Sequence, residues 1–464
     1  MKFLEELAAR RRFGMRPGLD AIRGVCAALG DPQKGFRAIH VAGTNGKGAV
    51  CAILDAVLRE WGTAAAKAVA VEPGNGRIGR YTSPHLVKLN ERFFLDGEPI
   101  DDTTLEAAAN RVSEIIQASD SQLSTLGSQL TFFEALTAVA FLIYNEAKVD
   151  YAILETGLGG RLDATNICEP SLCVITRIGL DHCDWLGDTV EKIAAEKAGI
   201  IKPGVPVVLG ANVPEVRSVV EARAREVGAP FYYAPDLAGE GEIPEGFSLA
   251  GAFNRENAVT AIAALKVLGS IRVDLGRIGS SEPFVNDLGQ LGAPEAFSDY
   301  LGKGFSKVAW PGRFQVVRNF IVDGAHNPPA ARALAESLNG FGKGSEFNLI
   351  AGFCGDKDVA EVLSILAPFV KKGYGVRTNN PRTLSAEETS AKMRAAGMDA
   401  VASPSLRSAI DSCNGSDTLI CGSLFLAGEA LVELGAYPWS AARFDPSELL
   451  KASSDSRSDT MAKV

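Results

Sequence analysis

Apolar and polar positions alternate in a repeating rhythm along this chain. An almost unbroken apolar run over 37–42 stops at Gly43-Thr-Asn-Gly-Lys-Gly48, and an amphipathic helical run over 49–61 follows. The pattern returns twice. Apolar runs over 149–155 and 171–176 read as buried strands that end in polar loops, at 156–161 and 177–182. Helical spacing covers 131–148 and 189–201. Strands separated by helices predict a mainly parallel sheet with helices on both faces. Such sheets bind ligands beyond the carboxyl ends of their strands, and all three polar loops fall there.

From about 269 to 307 the chain becomes rich in Gly, Ser and Pro and loses its period, which predicts an irregular interdomain connection. The α/β rhythm then restarts, with strand-like runs at 319–322, 348–351, 375–378 and 418–421. The predicted organisation is α/β: a large phosphate-binding parallel-sheet domain over 1–306, then a smaller α/β domain over 307–446. Residues 447–464 are polar and rich in Ser and Asp, and are predicted to form a disordered tail. No internal repeat is visible.

Composition narrows the function classes. A length of 464 residues implies two or three domains. The balance of 47 Lys+Arg against 56 Asp+Glu gives −9, which argues against a general nucleic-acid or anionic-membrane binder. The eight cysteines show no C-x-x-C pair, so free thiols in a reducing cytoplasm are expected rather than zinc or disulfides. The opening MKFLEELAARRRFG lacks the apolar core of a signal peptide. The most apolar stretch, 135–144, falls well short of the ~20 residues of a membrane helix. A soluble cytoplasmic protein is expected. Only four histidines occur, at positions 40, 85, 182 and 326.

The chemistry-bearing positions gather at the loops. Gly43-Thr-Asn-Gly-Lys-Gly48 departs from the standard Walker pattern, since Val41 stands at its first glycine and Gly48 at its Ser/Thr. A strand, a glycine-rich turn and a helix still converge backbone N–H groups on a phosphate, with Lys47 as a mobile cation. A plain turn with an exposed lysine is the weaker alternative. Glu155 closes an apolar strand and suits Mg²⁺. His182 is either a metal ligand or a hydrogen-bonded loop histidine. Ser83 offers a hydroxyl, or forms a simple Ser-Pro turn. Lys197 reads from spacing alone as a solvated helix lysine. Arg313 is a candidate to neutralise phosphate and Asp323 to accept from ribose hydroxyls, and each is equally readable as a salt-bridge or turn residue.

Taken in order, HVAGTNGKG (40–48), YTSPHL (81–86), NER (90–92), LETGLGGRLDATN (154–166), ITRIGLDHCDWLGDT (175–189), IAAEKAGIIKPG (193–204), WPGR (310–313), DGAHNP (323–328) and CGSLFLAGE (421–429) form a recognisable set. It resembles the folylpolyglutamate synthase/dihydrofolate synthase family of the Mur ligase superfamily, from about residue 19 to residue 429. The resemblance implies a P-loop-type nucleotide-binding domain followed by a Rossmann-like domain, with ATP bound between the two. It implies Gly43, Thr44, Asn45, Gly46, Lys47 and Gly48 on the triphosphate, and Asn257, Arg313, Asp323 and His326 on the nucleotide from the far side. Ser83, Glu155 and His182 match Mg²⁺ ligands. Lys197 matches a lysine that family members carbamylate into a ligand for a second metal. Thr131, Phe132, Phe133 and Glu134, with Leu162, Asp163 and Ala164, match segments that line the pterin site.

The implied activity is ATP-dependent ligation of L-glutamate to dihydropteroate, to the glutamyl tail of reduced folates, or to both, through an acyl phosphate. Lys47, Lys197 and His182 are the implied catalytic residues, two Mg²⁺ ions the implied cofactors, and a monomer the implied assembly. Potassium is not implied either way. A Mur-type ligase acting on a UDP-linked muropeptide is the runner-up, and a nucleotide-binding pseudoenzyme a minor alternative. Four departures bear on this. Ala49 replaces the usual Ser, so a contact there is lost or taken over by Thr44. The 65–78 segment is longer than usual. Gln315 stands where an acid often follows WPGR, and Phe253-Asn254 replaces His-Gln ahead of Asn257.

Overall fold

The computed structural model describes residues 18–68, 76–118, 130–275, 294–340, 347–355 and 358–439. The predicted tail over 447–464 and residues 69–75 of the lengthened segment lie outside them. The described chain divides into two compact units, one drawn from 18–85, 89–248 and 256–308 and the other from 86–88, 249–255 and 309–439.

The first unit is built on an eight-stranded sheet. Its strands are β1 (Arg37–Ala42), β2 (Ile78–Tyr81), β3 (Phe93–Leu95), β4 (Glu98–Pro99), β5 (Tyr151–Glu155), β6 (Pro170–Ile175), β7 (Val207–Leu209) and β8 (Phe231–Tyr233), in the order β4-β3-β2-β5-β1-β6-β7-β8. Pairing is parallel from β2 through β8, and β3 and β4 add an antiparallel edge. Strand pleating sorts the side chains. Ala38, Leu154, Cys173 and Ile175 pack beneath helices that include Phe132–Glu146, Val190–Ala198 and Pro214–Glu226. Ile39, Val41 and Ile153 are buried on the other face, which helix Lys47–Ala68 covers. The chain leaves β1 for β2, returns to β5, then crosses to β6 on the far side of β1. The loop after β1 therefore opens at a topological switch point.

The described parts of the segment predicted as an irregular connection, 269–275 and 294–306, are helical, and residues 276–293 lie outside the described residues. Helix Ala252–Leu275 continues past 269, and a second helix spans Pro294–Ser306, with residues 256–308 belonging to the first unit. Leu301, Phe305 and Val308 are buried at helical spacing. Gly304, which reads as loop punctuation, lets this helix lie against helix Lys47–Ala68, because a Cβ there would sit 2.7 Å from Val57 Cα.

The second unit carries a six-stranded sheet of β9 (Gln315–Val317), β10 (Phe320–Val322), β11 (Phe347–Ala351), β12 (Val370–Gly375), β13 (Ala400–Ala402) and β14 (Thr418–Cys421). Its order is β13-β12-β11-β14-β10-β9, parallel except for β9. Ile321, Leu349 and Leu419 face one helical layer, while Val322, Ile350 and Ile420 face the other. The strand expected at 375–378 lies earlier, at Val370–Gly375. Two lysines and two glycines hide it from an apolar-run reading. Among the described residues no helix is long and apolar enough to cross a membrane.

Candidate functional site

The glycine-rich loop is tied down by the loop that follows β6. Thr44 and Asn45 N–H groups donate to the Arg177 carbonyl at 2.9 and 3.2 Å, and Thr176 Oγ1 donates to the Asn45 carbonyl at 2.7 Å. Gly46 has φ +88°, and a methyl there would collide with the Asn257 amide. The turn thus needs glycine, and Asn257, of the same unit, lies against the loop. Thr44 Oγ1 donates to the Gly179 carbonyl at 3.0 Å and accepts from Gly179 N–H at 3.1 Å. Its only proton is committed, so Thr44 Oγ1 is left with lone-pair capacity alone. Ala49 itself is buried in the first helical turn.

Three charged groups converge at the ends of β1, β2 and β5. Lys47 Nζ lies 3.8 Å from Glu155 Oε1 and 3.3 Å from the Thr44 carbonyl. Glu155 Oε2 accepts the Ser83 N–H at 3.0 Å, beside a cis Ser83-Pro84 bond. Lys197 is 4% exposed, and its Nζ donates to the Gly43 carbonyl at 2.8 Å. It is not the solvated lysine its spacing suggests. Burial first, and the charge of Lys47 second, push its ammonium down to about 7, against the opposing pull of Asp181 and Asp163.

His182 sits at φ +53°, half-exposed, with its own N–H held by Asp181 Oδ1 at 2.9 Å. Among the described residues no three His, Cys, Asp or Glu side chains are arranged to hold a metal. The donor chemistry nevertheless fits Mg²⁺, which takes one or two protein carboxylates and fills its shell with water and phosphate oxygens. Glu155 is one such carboxylate, buried at the mouth of the sheet beside the Ser83 turn.

The residues expected to line the pterin site divide into two groups. Thr131 and Glu134 form the capping box of helix Phe132–Glu146: Glu134 N–H donates to Thr131 Oγ1 at 3.2 Å, and Thr131 N–H to Glu134 Oε2 at 2.8 Å. Burial raises the Glu134 carboxyl above its ordinary value. Phe132 and Phe133 are half-buried. The Phe133 ring stacks 5.9 Å from Tyr81 and lies against the backbone of Gly157, and the Arg92 guanidinium sits 6.0 Å from the Phe132 ring. Leu162 is exposed and Ala164 buried. Asp163 is buried, with Leu158 N–H on Oδ2 at 2.8 Å and Thr165 N–H on Oδ1 at 3.0 Å.

In the second unit Arg313, Asp323 and His326 gather around Gly324. Arg313 Nη1 donates to the Gly312 carbonyl at 3.0 Å. His326 Nδ1 donates to the Gly324 carbonyl at 2.8 Å, which leaves the proton off Nε2 in the neutral ring. Asp323 accepts from Phe314 N–H and Ala325 N–H, both at 2.7 Å. Its first task is therefore to hold the two loops together. Gln315 Oε1 accepts the Gly312 N–H at 3.0 Å, so an amide does here what an acid would. Phe253 packs edge-on against Phe314, and Asn254 Nδ2 donates to the Ala250 carbonyl.

Sequence reasoning gave no role to Arg92, whose buried guanidinium donates to His85 Nδ1 at 3.0 Å, or to Thr165 and His40 behind Asp163. The NER block at 90–92, one of the recognisable set, was a signal available for Arg92. A cavity of about 590 Å³ opens at the amino end of β6, lined by residues that include Arg23, Asn166 and Lys202, and contains none of the expected site residues.

Two family models match the chain: the Mur ligase middle domain over 103–227 and the Mur ligase glutamate ligase domain over 312–423. The dihydrofolate synthase/folylpolyglutamate synthase of Bacillus subtilis is 34% identical over 402 residues, covering 82% of this chain and 85% of the relative. A crystal structure of Mycobacterium tuberculosis folylpolyglutamate synthase with ADP and AMPPCP superposes with a TM-score of 0.76 at 29% identity, covering 94% of this chain and 100% of the other. The bifunctional Yersinia pestis folylpolyglutamate synthase/dihydrofolate synthase, solved with AMPPNP and a Mn ion, gives 0.72 at 28% identity over 94% and 97% of the two chains.

Proposed function

This chain belongs to the folylpolyglutamate synthase/dihydrofolate synthase family of the Mur ligase superfamily, and from that premise we propose that it joins L-glutamate both to dihydropteroate and to the glutamyl tail of reduced folates. It is an ATP-dependent, amide-forming ligase. The observation that carries the assignment of roles is the convergence of Lys47, Glu155 and Lys197 on the glycine-rich loop.

A substrate carboxylate oxygen attacks the γ-phosphorus of ATP, the bond to the bridging oxygen breaks, and ADP leaves an acyl phosphate. The glutamate amine then attacks the acyl carbon and loses a proton, and phosphate departs as the amide forms. The Lys47 ammonium and the N–H groups of Gly46, Lys47 and Gly48 hold the triphosphate and offset charge on the moving phosphoryl group, while Gly43, Thr44 and Asn45 shape the loop against the Arg177 carbonyl. Asn257 approaches the same loop. Arg313, Asp323 and His326 bind the rest of the nucleotide. Ser83, Glu155 and His182 would hold Mg²⁺, with Lys197 as carbamate holding a second ion. These ions supply Lewis-acid neutralisation of phosphate oxygens.

The neutral Lys197 amine adds to CO₂ and releases a proton, giving an anion where an ammonium stood. Phe132, Phe133, Leu162, Asp163 and Ala164 line the pterin end, with Thr131 and Glu134 fixing the helix that presents the two rings. The working unit is a single chain, and the compartment is the cytoplasm.

The experiment is incorporation of labelled glutamate with dihydropteroate and tetrahydrofolate as separate acceptors, and a UDP-muropeptide as a third. Labelled product from both folate-type acceptors, and none from the muropeptide, is expected. Product from only one folate-type acceptor defeats the bifunctional reading. Product from neither defeats the assignment as a whole.

A further inference from the structure

A buried polar chain runs behind Asp163, and the ligase roles above do not use it. His40 lies on β1, three residues before Gly43, on the face beneath the helices. Its Nε2 is 2.8 Å from Thr165 Oγ1, which is in turn 2.5 Å from Asp163 Oδ1. His40 and Thr165 are 0% exposed and Asp163 is 5% exposed, so solvent cannot replace any member of the chain.

The proton inventory gives the chain a direction. Burial, then the charge of Lys202, push the His40 imidazole down to about 3, so the ring is neutral and carries one N–H. His40 Nδ1 is buried without a partner. An orphaned N–H is rarer and costlier than an orphaned lone pair, so the proton sits on Nε2 and is donated to Thr165 Oγ1. The single hydroxyl proton of Thr165 must then point at Asp163 Oδ1. Asp163 meets this O–H together with the N–H groups of Thr165 and Leu158. These donors, with the Gly157 N–H, hold it as an acceptor, against the burial that raises its carboxyl above the ordinary value.

We propose that His40 and Thr165 are positioning residues that hold the Asp163 carboxylate in the rotamer and acceptor state with which it meets a hydrogen-bond donor of the pteroate or folate substrate. This rests on the assignment of Asp163 to the folate end of the site. Neither residue touches substrate. Because β1 also feeds the glycine-rich loop, one strand supports both ends of the site.

KM for dihydropteroate, KM for ATP, kcat and melting temperature are measured for the full chain and for Thr165→Val, Thr165→Ser, His40→Phe, His40→Gln, the Val/Phe double variant and Asp163→Asn. Thr165→Val should raise KM for dihydropteroate about tenfold, the loss of one charge-assisted hydrogen bond, with KM for ATP unchanged. Thr165→Ser and His40→Gln restore the donors and should stay near the unsubstituted protein. His40→Phe should raise the same KM by a smaller factor, and should add nothing in the Thr165→Val background, where the imidazole has already lost its partner. Equal rises in both KM values, additive effects, or a lower melting temperature with KM for dihydropteroate unchanged would overturn the proposal. If His40→Phe does not fold, the Val/Ser pair at position 165 carries the test alone. An Asp163→Asn variant with unchanged KM for dihydropteroate removes Asp163 from the folate end, and the proposal with it. An effect there with Thr165→Val silent overturns the positioning role only.

Discussion

Lys197 should bind CO₂ reversibly with a midpoint near neutral pH. An ordinary lysine with its pKa at 10.5 has only about one molecule in 3,000 as free amine at pH 7. Lys197, pushed down to about 7 by burial and by Lys47, has about half. Only the free amine reacts, so the amount available for carbamate formation at neutrality is on the order of a thousandfold greater than for a surface lysine. Below the midpoint the ammonium form dominates and the carbamate is lost, and above it the carbamate accumulates. The assay is carbon NMR of the protein equilibrated with ¹³C-bicarbonate from about pH 6 to pH 9, with Lys197→Ala as the blank. Lys47→Met removes the second cause of the depression and should move the midpoint upward. A carbamate signal that survives in Lys197→Ala, or none in the unsubstituted protein at any pH, would refute the reasoning.

Lys197→Ala should abolish ligation and regain part of it with added short carboxylates; full activity without rescue would remove the residue from the mechanism. Because the folded pKa of Lys197 lies below 10.5, the unfolded chain holds more protons between about 7 and 10.5, and stability should rise with pH across that window. Denaturant titrations should show that this slope is lost in Lys197→Met. Of the eight cysteines seven are buried and Cys183 is exposed, so a thiol reagent under native conditions should label Cys183 first by mass spectrometry. Gly304→Ala forces a methyl against the Val57 backbone and should cost about 1–3 kcal/mol in chemical denaturation; a variant of unchanged stability would contradict the close helix approach.

The central strands were legible because each is an apolar run closed by a glycine or polar loop. β1 and β14 match their expected spans residue for residue, and β5 and β6 lie within two residues of theirs. Strands of three residues at the sheet flanks, such as β7 and β13, offer too few positions to show a period. The displaced β12 has the same origin, since Lys371, Lys372 and Gly373 break the run that would have marked it. In helix Pro294–Ser306 the misleading residue was Gly304, whose role is set by a neighbour far away in sequence.

The site was legible as a set of loops rather than as chemistry. Thr131-Phe-Phe-Glu134 carries a capping-box signature visible in the sequence, at the start of the helical spacing over 131–148. Lys197 and Asp163 owe their character to burial and to partners more than a hundred or only a few residues away, Gly43 in one case and Thr165 with His40 in the other. No spacing rule reports such contacts. The scarcity of histidine did carry information: His40 and His326 are each committed by one ring nitrogen to a partner that orders a loop.

The fate of the carboxylate oxygen is the most direct test of the ligase account. Dihydropteroate labelled with ¹⁸O in its carboxylate is incubated with the enzyme, ATP, Mg²⁺ and L-glutamate, and the released phosphate is analysed by mass spectrometry. An acyl phosphate requires one labelled oxygen in each phosphate, with ADP, phosphate and amide formed in equal amounts. Phosphate free of label, or ADP formed without amide, would contradict it.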